Sequence, residues 1–336
     1  MRALSCDEPG KLSIIQRDEP HAAGNEVLVR IRHVGVCGTD YHIFHGNQPY
    51  LSYPRVIGHE LGAEIVSVPT GSSLRAGQIV SIMPTIYCGH CRACRMGKTN
   101  CCQQLEVLGV HRDGGACDYI AVPEANVIPA DGLTAGQAAM VEFLAIGAHG
   151  VARGGIGPGQ RVAIVGAGPI GIAAAVFSRV AGAHVSVVDM NPRRLAFCAD
   201  ELGADAVFEA SADIRERLGQ ATGGDFFDCV VDATGSPGAM QKGFDLVGHG
   251  GAYVLLSLVR ADIAFNDPEF HKRETTLYAS RNAVRQDFET VLQAMRDGKV
   301  PLRALASHEG SLDDAPGLIP EWSRPEAGVI KAILTV

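Results

Sequence analysis

The sequence predicts an α/β protein in which a doubly wound parallel sheet occupies the middle of the chain and a metal-bearing domain surrounds it. Three observations carry that expectation. A glycine fingerprint lies between a strand-like run and a helical one near residue 166, further apolar strands alternate with helical stretches after it, and two groups of cysteine and histidine precede it.

From residue 161 the chain reads RVAIVGAGPIGIAAAVFSRVAGAHVSVVD. An apolar β-type run ends in Gly166-Ala-Gly168-Pro169-Ile170-Gly171, small and apolar residues continue as a helix, and a second strand ends at Asp189. A bare glycine triplet is weak evidence, but a strand-to-helix junction followed by an acidic residue about 20 positions on is the context a dinucleotide site requires. Gly166 permits the turn, Gly168 lets the backbone approach a pyrophosphate, and Gly171 lets the helix pack on the strand. Asp189 can accept from a ribose 2′-hydroxyl and would repel a 2′-phosphate, which favours NAD over NADP, while Arg193 and Arg194 temper that preference. The runs FFDCVVDATG (226–235) and GAYVLLSL (251–258) supply further strands of the same sheet.

The cysteines divide by spacing. YCGHCRACRMGKTNCCQQ holds Cys88, Cys91 and Cys94 in a Cys-x-x-Cys-x-x-Cys repeat, with Cys102 as a fourth ligand and Cys101 as its rival. Four thiolates in one loop suit a structural Zn2+ with no open position, and Arg92, Arg95 and Lys98 offset part of their charge. Upstream, VGVCGTDYHIFHGNQPY offers Cys37, Thr39, His42 and His45, and SYPRVIGHELGAEIV offers His59 and Glu60. One thiolate and one imidazole are suitable ligands for a second, open and catalytic Zn2+. Glu142, in AAMVEFLAIGAHG, is a further candidate, because a lone carboxylate in an apolar segment is costly to bury.

The composition bounds the function class. A chain of 336 residues with 46% hydrophobic content and 40 glycines suits two globular domains. A formal charge of −8 without a dense basic stripe gives no footprint for nucleic acid or an anionic membrane, and points to a small-molecule partner. No apolar run reaches the roughly 18 residues that span a bilayer and no secretion signal opens the chain, so a cytoplasmic protein is expected. Ten cysteines in a reducing compartment favour metal binding or free thiols over disulfides.

Cys37-Gly-Thr-Asp, Gly58-His59-Glu60, the four-cysteine lobe and the glycine fingerprint occur in an order that resembles the zinc-dependent medium-chain dehydrogenases over essentially the whole chain. The resemblance implies a GroES-like β-barrel catalytic domain over residues 1–148, a Rossmann NAD-binding domain over 149–282 across a cleft, and a return to the catalytic domain over 283–336. The glycines of HGVARGGIGPGQ suit the crossing. A glutamate at 142 is similar to the sorbitol-dehydrogenase branch, in which residues matching Cys37, His59 and Glu60 hold zinc and the one matching Glu142 binds it directly or through water. Here Glu142-Phe143 replaces the usual Glu-Pro. Thr39 and His42 match the family's proton-relay positions, and the same resemblance implies that Arg194 covers the adenine and that Thr234 and Gly235 lie near the nicotinamide half.

The segments GNQPYLSYPRVIGHE, TNCC, LGVHRDGG and FNDPEFHKRETTLYASRNAV resemble the bacterial L-galactonate and L-gulonate 5-dehydrogenases. That similarity implies oxidation of a secondary hydroxyl on a hexonate, with polyol or simple secondary-alcohol oxidation as the alternative. Arg281, Lys272 and Asn47 are the expected substrate contacts, since arginine recognises a carboxylate in bidentate form. Relatives of this kind are homodimers or homotetramers.

Overall fold

The apolar runs near the two ends of the chain meet as neighbouring strands. In the computed structural model, which describes residues 1–336, strand Glu26–Val36 buries alternate residues Val27, Val29 and Ile31, as a strand with one face on a core must. It pairs antiparallel with the C-terminal strand Lys331–Thr335, so that Ala332 faces Val36 and Thr335 faces His33. One compact unit therefore comprises Met1–Phe143, Val284–Asp297 and Leu302–Val336.

The main sheet of this unit has seven strands. Its order is Val127–Pro129, Ile79–Ile82, Glu60–Ser67, Glu26–Val36, Lys331–Thr335 and Ala306–Ser311, with Tyr119–Pro123 also paired to Glu26–Val36. A three-stranded sheet of Lys11–Gln16, Arg2–Glu8 and Arg55–Val56 packs into the same apolar core, which includes Leu4, Ile31, Leu61, Ile82, Trp322 and Leu334. Asp118 ties the first strand down: its carboxylate accepts from the Arg2 backbone N–H at 2.6 Å and from the Arg2 guanidinium at 2.8 Å.

Leu144–Ala283 with Gly298–Pro301 forms the second unit. Its six strands are all parallel, in the order Ala206–Glu209, His184–Asp189, Arg161–Val165, Phe227–Asp232, Val247–Leu255 and Thr276–Ala279. The order reverses between Arg161–Val165 and Phe227–Asp232, the switch point at which doubly wound sheets bind ligands. The change of unit falls between Phe143 and Leu144, inside the unbroken helix Val141–Arg153, and the glycine-rich segment 149–160 begins in the last turns of that helix and runs past its end. No helix is long and apolar enough to cross a membrane.

Candidate active site

The strand register assembles the centre. Gly35 pairs with Glu60, which sets Cys37, just past the end of one strand, beside His59, just before the start of the other. Cys37 then caps helix Gly38–Phe44, and Asp40 in the first turn locks the junction: one carboxylate oxygen accepts from the Cys37 N–H at 2.9 Å, the other from the Gly58 N–H at 3.3 Å. The ligand atoms of Cys37, His59 and Glu60 all lie within 4.8 Å of one another.

This cluster is buried and crowded with charge. His59 is 5% exposed, Glu60 0% and Asp40 2%. Burial alone would depress the His59 imidazole, but Cys37 and Asp40 outweigh it and hold the ring well above its ordinary range. Burial raises Asp40. It also pushes Glu142 up to about 7, with His59 pulling down and Glu60 pushing up, so Glu142 senses the cluster without belonging to the tight ligand group. His59 Nδ1 lies 3.8 Å from Asp40, beyond hydrogen-bond range, and is a buried polar atom with no hydrogen-bond partner. A thiol, an imidazole and a carboxylate brought this close, with one imidazole nitrogen left without a partner, are a donor set that fits a zinc ion.

Two functional residues escaped the sequence reading. Asp40 is one, although it stands in the quoted Cys-Gly-Thr-Asp run. Lys331 is the other: only 1% exposed, its ammonium donates to both oxygens of Glu60, at 2.8 and 2.7 Å. Its sequence signal was a lone charge inside the apolar strand VIKAILTV. Thr39 is half-buried and His42 exposed, three residues apart and hence on one face of the short helix.

The four-cysteine lobe has different geometry. Sulfur separations are 3.5 Å for Cys88–Cys102 and Cys91–Cys94, and 4.0 Å for Cys88–Cys94 and Cys91–Cys102. A tetrahedral ion with metal–sulfur bonds of about 2.3 Å spaces its ligands about 3.8 Å apart, whereas a disulfide needs about 2.05 Å. The set fits zinc, and Cys102 is the fourth member; Cys101 is exposed and outside the group. Backbone N–H groups of Cys94 and Gln103 hold the Cys91 thiol down at about 6, while burial and its sulfur neighbours push Cys94 up to about 12. Arg95 donates to the His90 carbonyl, bracing the loop.

In the second unit Gly166 has φ +96°, and a Cβ at Gly171 would stand 1.7 Å from the Gly166 carbonyl oxygen, so both glycines are required by the chain itself. A Cβ at Gly168 would meet no atom within 4 Å. Its side of the loop is open at the N-terminus of helix Pro169–Val180, and that space fits a close-approaching pyrophosphate. Pro169 and Ile170 open this helix. Asp189 accepts from the N–H groups of Ala167 at 2.5 Å and Asn191 at 2.7 Å, which fixes its carboxylate beside the fingerprint. The Thr234 hydroxyl donates to buried Asp232 at 2.9 Å and accepts from the Ser236 N–H at 3.1 Å, so this side chain shapes its own loop. Arg194 is half-buried in the helix Pro192–Asp200 that follows Asp189.

The expected substrate residues belong to different units, Asn47 to the first and Lys272 and Arg281 to the second. Asn47 sits on an exposed loop, its N–H donating to the His42 carbonyl. Lys272 is exposed with its ammonium 3.9 Å from Glu269, and Arg281 is exposed in the second unit. Arg273, from the same basic run, is buried and donates to the carbonyls of Phe244 and Val247 and to Glu269, a structural role.

Comparison with known proteins agrees with this assembly. The family profile for the alcohol dehydrogenase GroES-like domain matches residues 23–132, and that for zinc-binding dehydrogenase matches residues 169–297. L-galactonate-5-dehydrogenase of Escherichia coli K12 is 43% identical over 309 residues, covering 92% of this chain and 91% of that protein. Sorbitol dehydrogenase of Halalkalibacterium halodurans is 29% identical, covering 97% and 96%. A solved structure described as a short chain alcohol dehydrogenase (rspB) from E. coli CFT073, complexed with NADH, has a TM-score of 0.93 at 30% identity and covers 100% of this chain and 99% of its own. With its profiles, relatives and paired donor sets in agreement, the chain belongs to the zinc-binding dehydrogenases with an alcohol dehydrogenase GroES-like domain.

Proposed function

We propose that this enzyme oxidises a secondary hydroxyl of a hexonate sugar acid, of the L-galactonate or L-gulonate type at C5, to the keto acid with NAD as acceptor. The observation that carries the reaction type is the buried convergence of Cys37, His59 and Glu60 in a chain that also carries the dinucleotide fingerprint. The substrate class is supported by the 43% identity to L-galactonate-5-dehydrogenase.

In this mechanism Cys37 and His59 hold the catalytic zinc with Glu60 or Glu142 beside them, and Cys88, Cys91, Cys94 and Cys102 hold the structural one. When bound, zinc supplies Lewis-acid polarisation of a hydroxyl and NAD supplies a hydride acceptor. Thr39 takes the hydroxyl proton and His42, on the same helix face and open to solvent, passes it out. Asp189 accepts from the adenosine ribose, its carboxylate already oriented by two backbone N–H groups. The Gly166–Gly171 loop and the N-terminus of helix Pro169–Val180 take the pyrophosphate, Arg194 covers the adenine, and the Thr234 loop borders the nicotinamide half. Arg281, Lys272 and Asn47 recognise the carboxylate and hydroxyls of the sugar acid, and the enzyme works as a homodimer or homotetramer.

NADH absorbance with L-galactonate, L-gulonate, sorbitol and galactitol side by side tests the proposal. A preference for one hexonate supports it. A preference for uncharged polyols moves the enzyme to the alternative, which the sorbitol dehydrogenase relative favours, and leaves the zinc and NAD roles intact.

A further inference from the structure

Two of the segments that resemble hexonate dehydrogenases, GNQPYLSYPRVIGHE and LGVHRDGG, meet within the first unit, and the contact between them belongs to neither metal cluster. Each contributes a loop rooted beside a donor of the catalytic centre. The first loop leaves helix Gly38–Phe44, which Cys37 caps, and is tied back to it: the Asn47 N–H donates to the His42 carbonyl at 2.8 Å, and the Tyr53 hydroxyl donates to the Ile43 carbonyl. The second loop lies on Gly58, the residue before His59. The Gly115 N–H donates to the Gly58 carbonyl at 2.8 Å, and a Cβ at Gly114 would stand 2.3 Å from that oxygen, so glycine permits the approach.

The loops are fastened to each other twice. Arg55 is the inner fastener: its side chain is largely buried, and its guanidinium donates to Ser52 of the first loop and to Asp113 of the second, both at 3.3 Å. The outer fastener is a ring pair. Tyr50 and His111 stack with centroids 6.2 Å apart and planes 19° from parallel, an offset arrangement within the favoured range. The Val107 N–H donates to His111 Nδ1 at 3.1 Å and sets the plane of the imidazole, while Gln48 accepts from the Tyr50 N–H at 3.3 Å and sets the turn that carries the phenol. Despite this support Tyr50 stays 59% exposed. A ring held in one orientation yet left in water adds little to the core, but it suits a ligand, because tyrosine offers a rigid apolar face and a polar tip at low conformational cost.

We propose that Tyr50 is a specificity-determining residue that lays its ring along the substrate's carbon chain beyond the carbinol carbon, and that His111 is the positioning residue that holds the ring there. The ligand class is an open-chain polyhydroxylated acid or alcohol, whose C–H edges meet the ring while one of its oxygens accepts from the phenol hydroxyl. This assignment rests on the reading of a sugar-acid or polyol substrate given above and deepens it by naming a contact from the first unit alone.

Steady-state kinetics of the full-length enzyme test it, with NAD and the substrate that wild type prefers among L-galactonate, L-gulonate, sorbitol and galactitol. Tyr50→Leu should raise KM about tenfold, the scale of one lost aromatic contact, and change kcat by about threefold or less, because the contact is made equally in the ground and transition states. His111→Leu should raise KM almost as far by releasing the ring. His111→Phe should bring KM most of the way back by giving Tyr50 a new stacking partner, and the double leucine variant should be no worse than Tyr50→Leu alone. A merely loosened fold would instead lower kcat, shed metal and ignore the rescue, so zinc content and NADH affinity are measured on each variant and should match wild type. An unchanged KM in Tyr50→Leu, or a raised one accompanied by metal loss, overturns the proposal; a wild type that prefers a hexonate keeps the sugar-acid reading in either case. A wild-type preference for the polyols with the same pattern among the variants upholds Tyr50 and removes the hexonate. Turnover of none of the four by wild type overturns both.

Discussion

The two donor clusters of the first unit are opposites. The four-cysteine lobe draws its ligands from ~15 consecutive residues, uses one kind of donor, and braces its sulfurs with backbone N–H groups from the same loop, as at Cys91 N to Cys88 Sγ (3.4 Å) and Gln104 N to Cys102 Sγ (3.3 Å). The Cys37–His59–Glu60 centre draws on distant segments, mixes three donor types, and is surrounded by buried charges at Asp40, Glu142 and Lys331. A closed shell of one donor type can only stabilise. A mixed shell is the kind that catalytic zinc sites use, with one position left open for chemistry.

Exchanging one ligand in each cluster separates the two roles. Cys37→Ala removes the polarising ion, which contributes several kcal/mol at the transition state, so kcat should fall about 1,000-fold or more. NAD titration should be unchanged, because the fingerprint lies wholly in the second unit. A folded Cys37→Ala that loses NAD binding would count against that division. Cys91→Ser should behave in the reverse sense. One metal ion per chain is lost, the Tm falls by about 5–10 °C, and the folded fraction retains most of its turnover. Metal analysis and calorimetry on both variants check the pair, and equal loss of stability in both would erase the contrast.

A smaller effect tests the support around the centre. Asp40 accepts two backbone N–H bonds, one on each carboxylate oxygen. In Asp40→Asn one acceptor becomes a donor and faces an N–H, so either the Cys37 turn or the Gly58 turn loses its anchor. Metal affinity at this centre should drop about tenfold, measured by chelator competition, while the four-cysteine lobe keeps its ion.

The same contrast explains what the sequence made legible. Cys88, Cys91, Cys94 and Cys102 could be read from spacing alone, because one loop brings them together. Gly166, Gly168, Gly171 and Asp189 were equally readable, because strand, turn and helix are contiguous. Cys37 and His59 were readable only as two fragments whose meeting depends on the Gly35–Glu60 register. Lys331 lies 271 residues from Glu60, and nothing local in VIKAILTV says which carboxylate its ammonium meets. Arg273 shows the converse. It stands next to Lys272, an expected substrate contact, yet its guanidinium satisfies carbonyls at Phe244 and Val247, groups whose need for a donor appears only once that sheet is folded.

The smallest expected effect isolates the scaffold from both clusters. Burial would raise the Asp118 carboxyl, but the Arg2 guanidinium and the Arg2 backbone N–H outweigh it and hold the group below the ordinary aspartate range. A folded-state pKa below the unfolded one gives stability that is present above the unfolded value, about 3.9, and is lost as pH falls through the folded value. Asp118→Asn should therefore cost about 1 kcal/mol near neutral pH, a modest figure because both side chains are partly open to solvent. The difference from wild type should shrink as the medium is acidified below about pH 4. Metal content should stay the same at both clusters, since Asp118 belongs to neither donor group. Urea unfolding of the two proteins across that range, with zinc measured in parallel, distinguishes a strand tether from a contribution to either metal site: loss of zinc from the variant at neutral pH would mean that the first strand and the metal-bearing sheet are coupled more tightly than their separate hydrogen bonds imply.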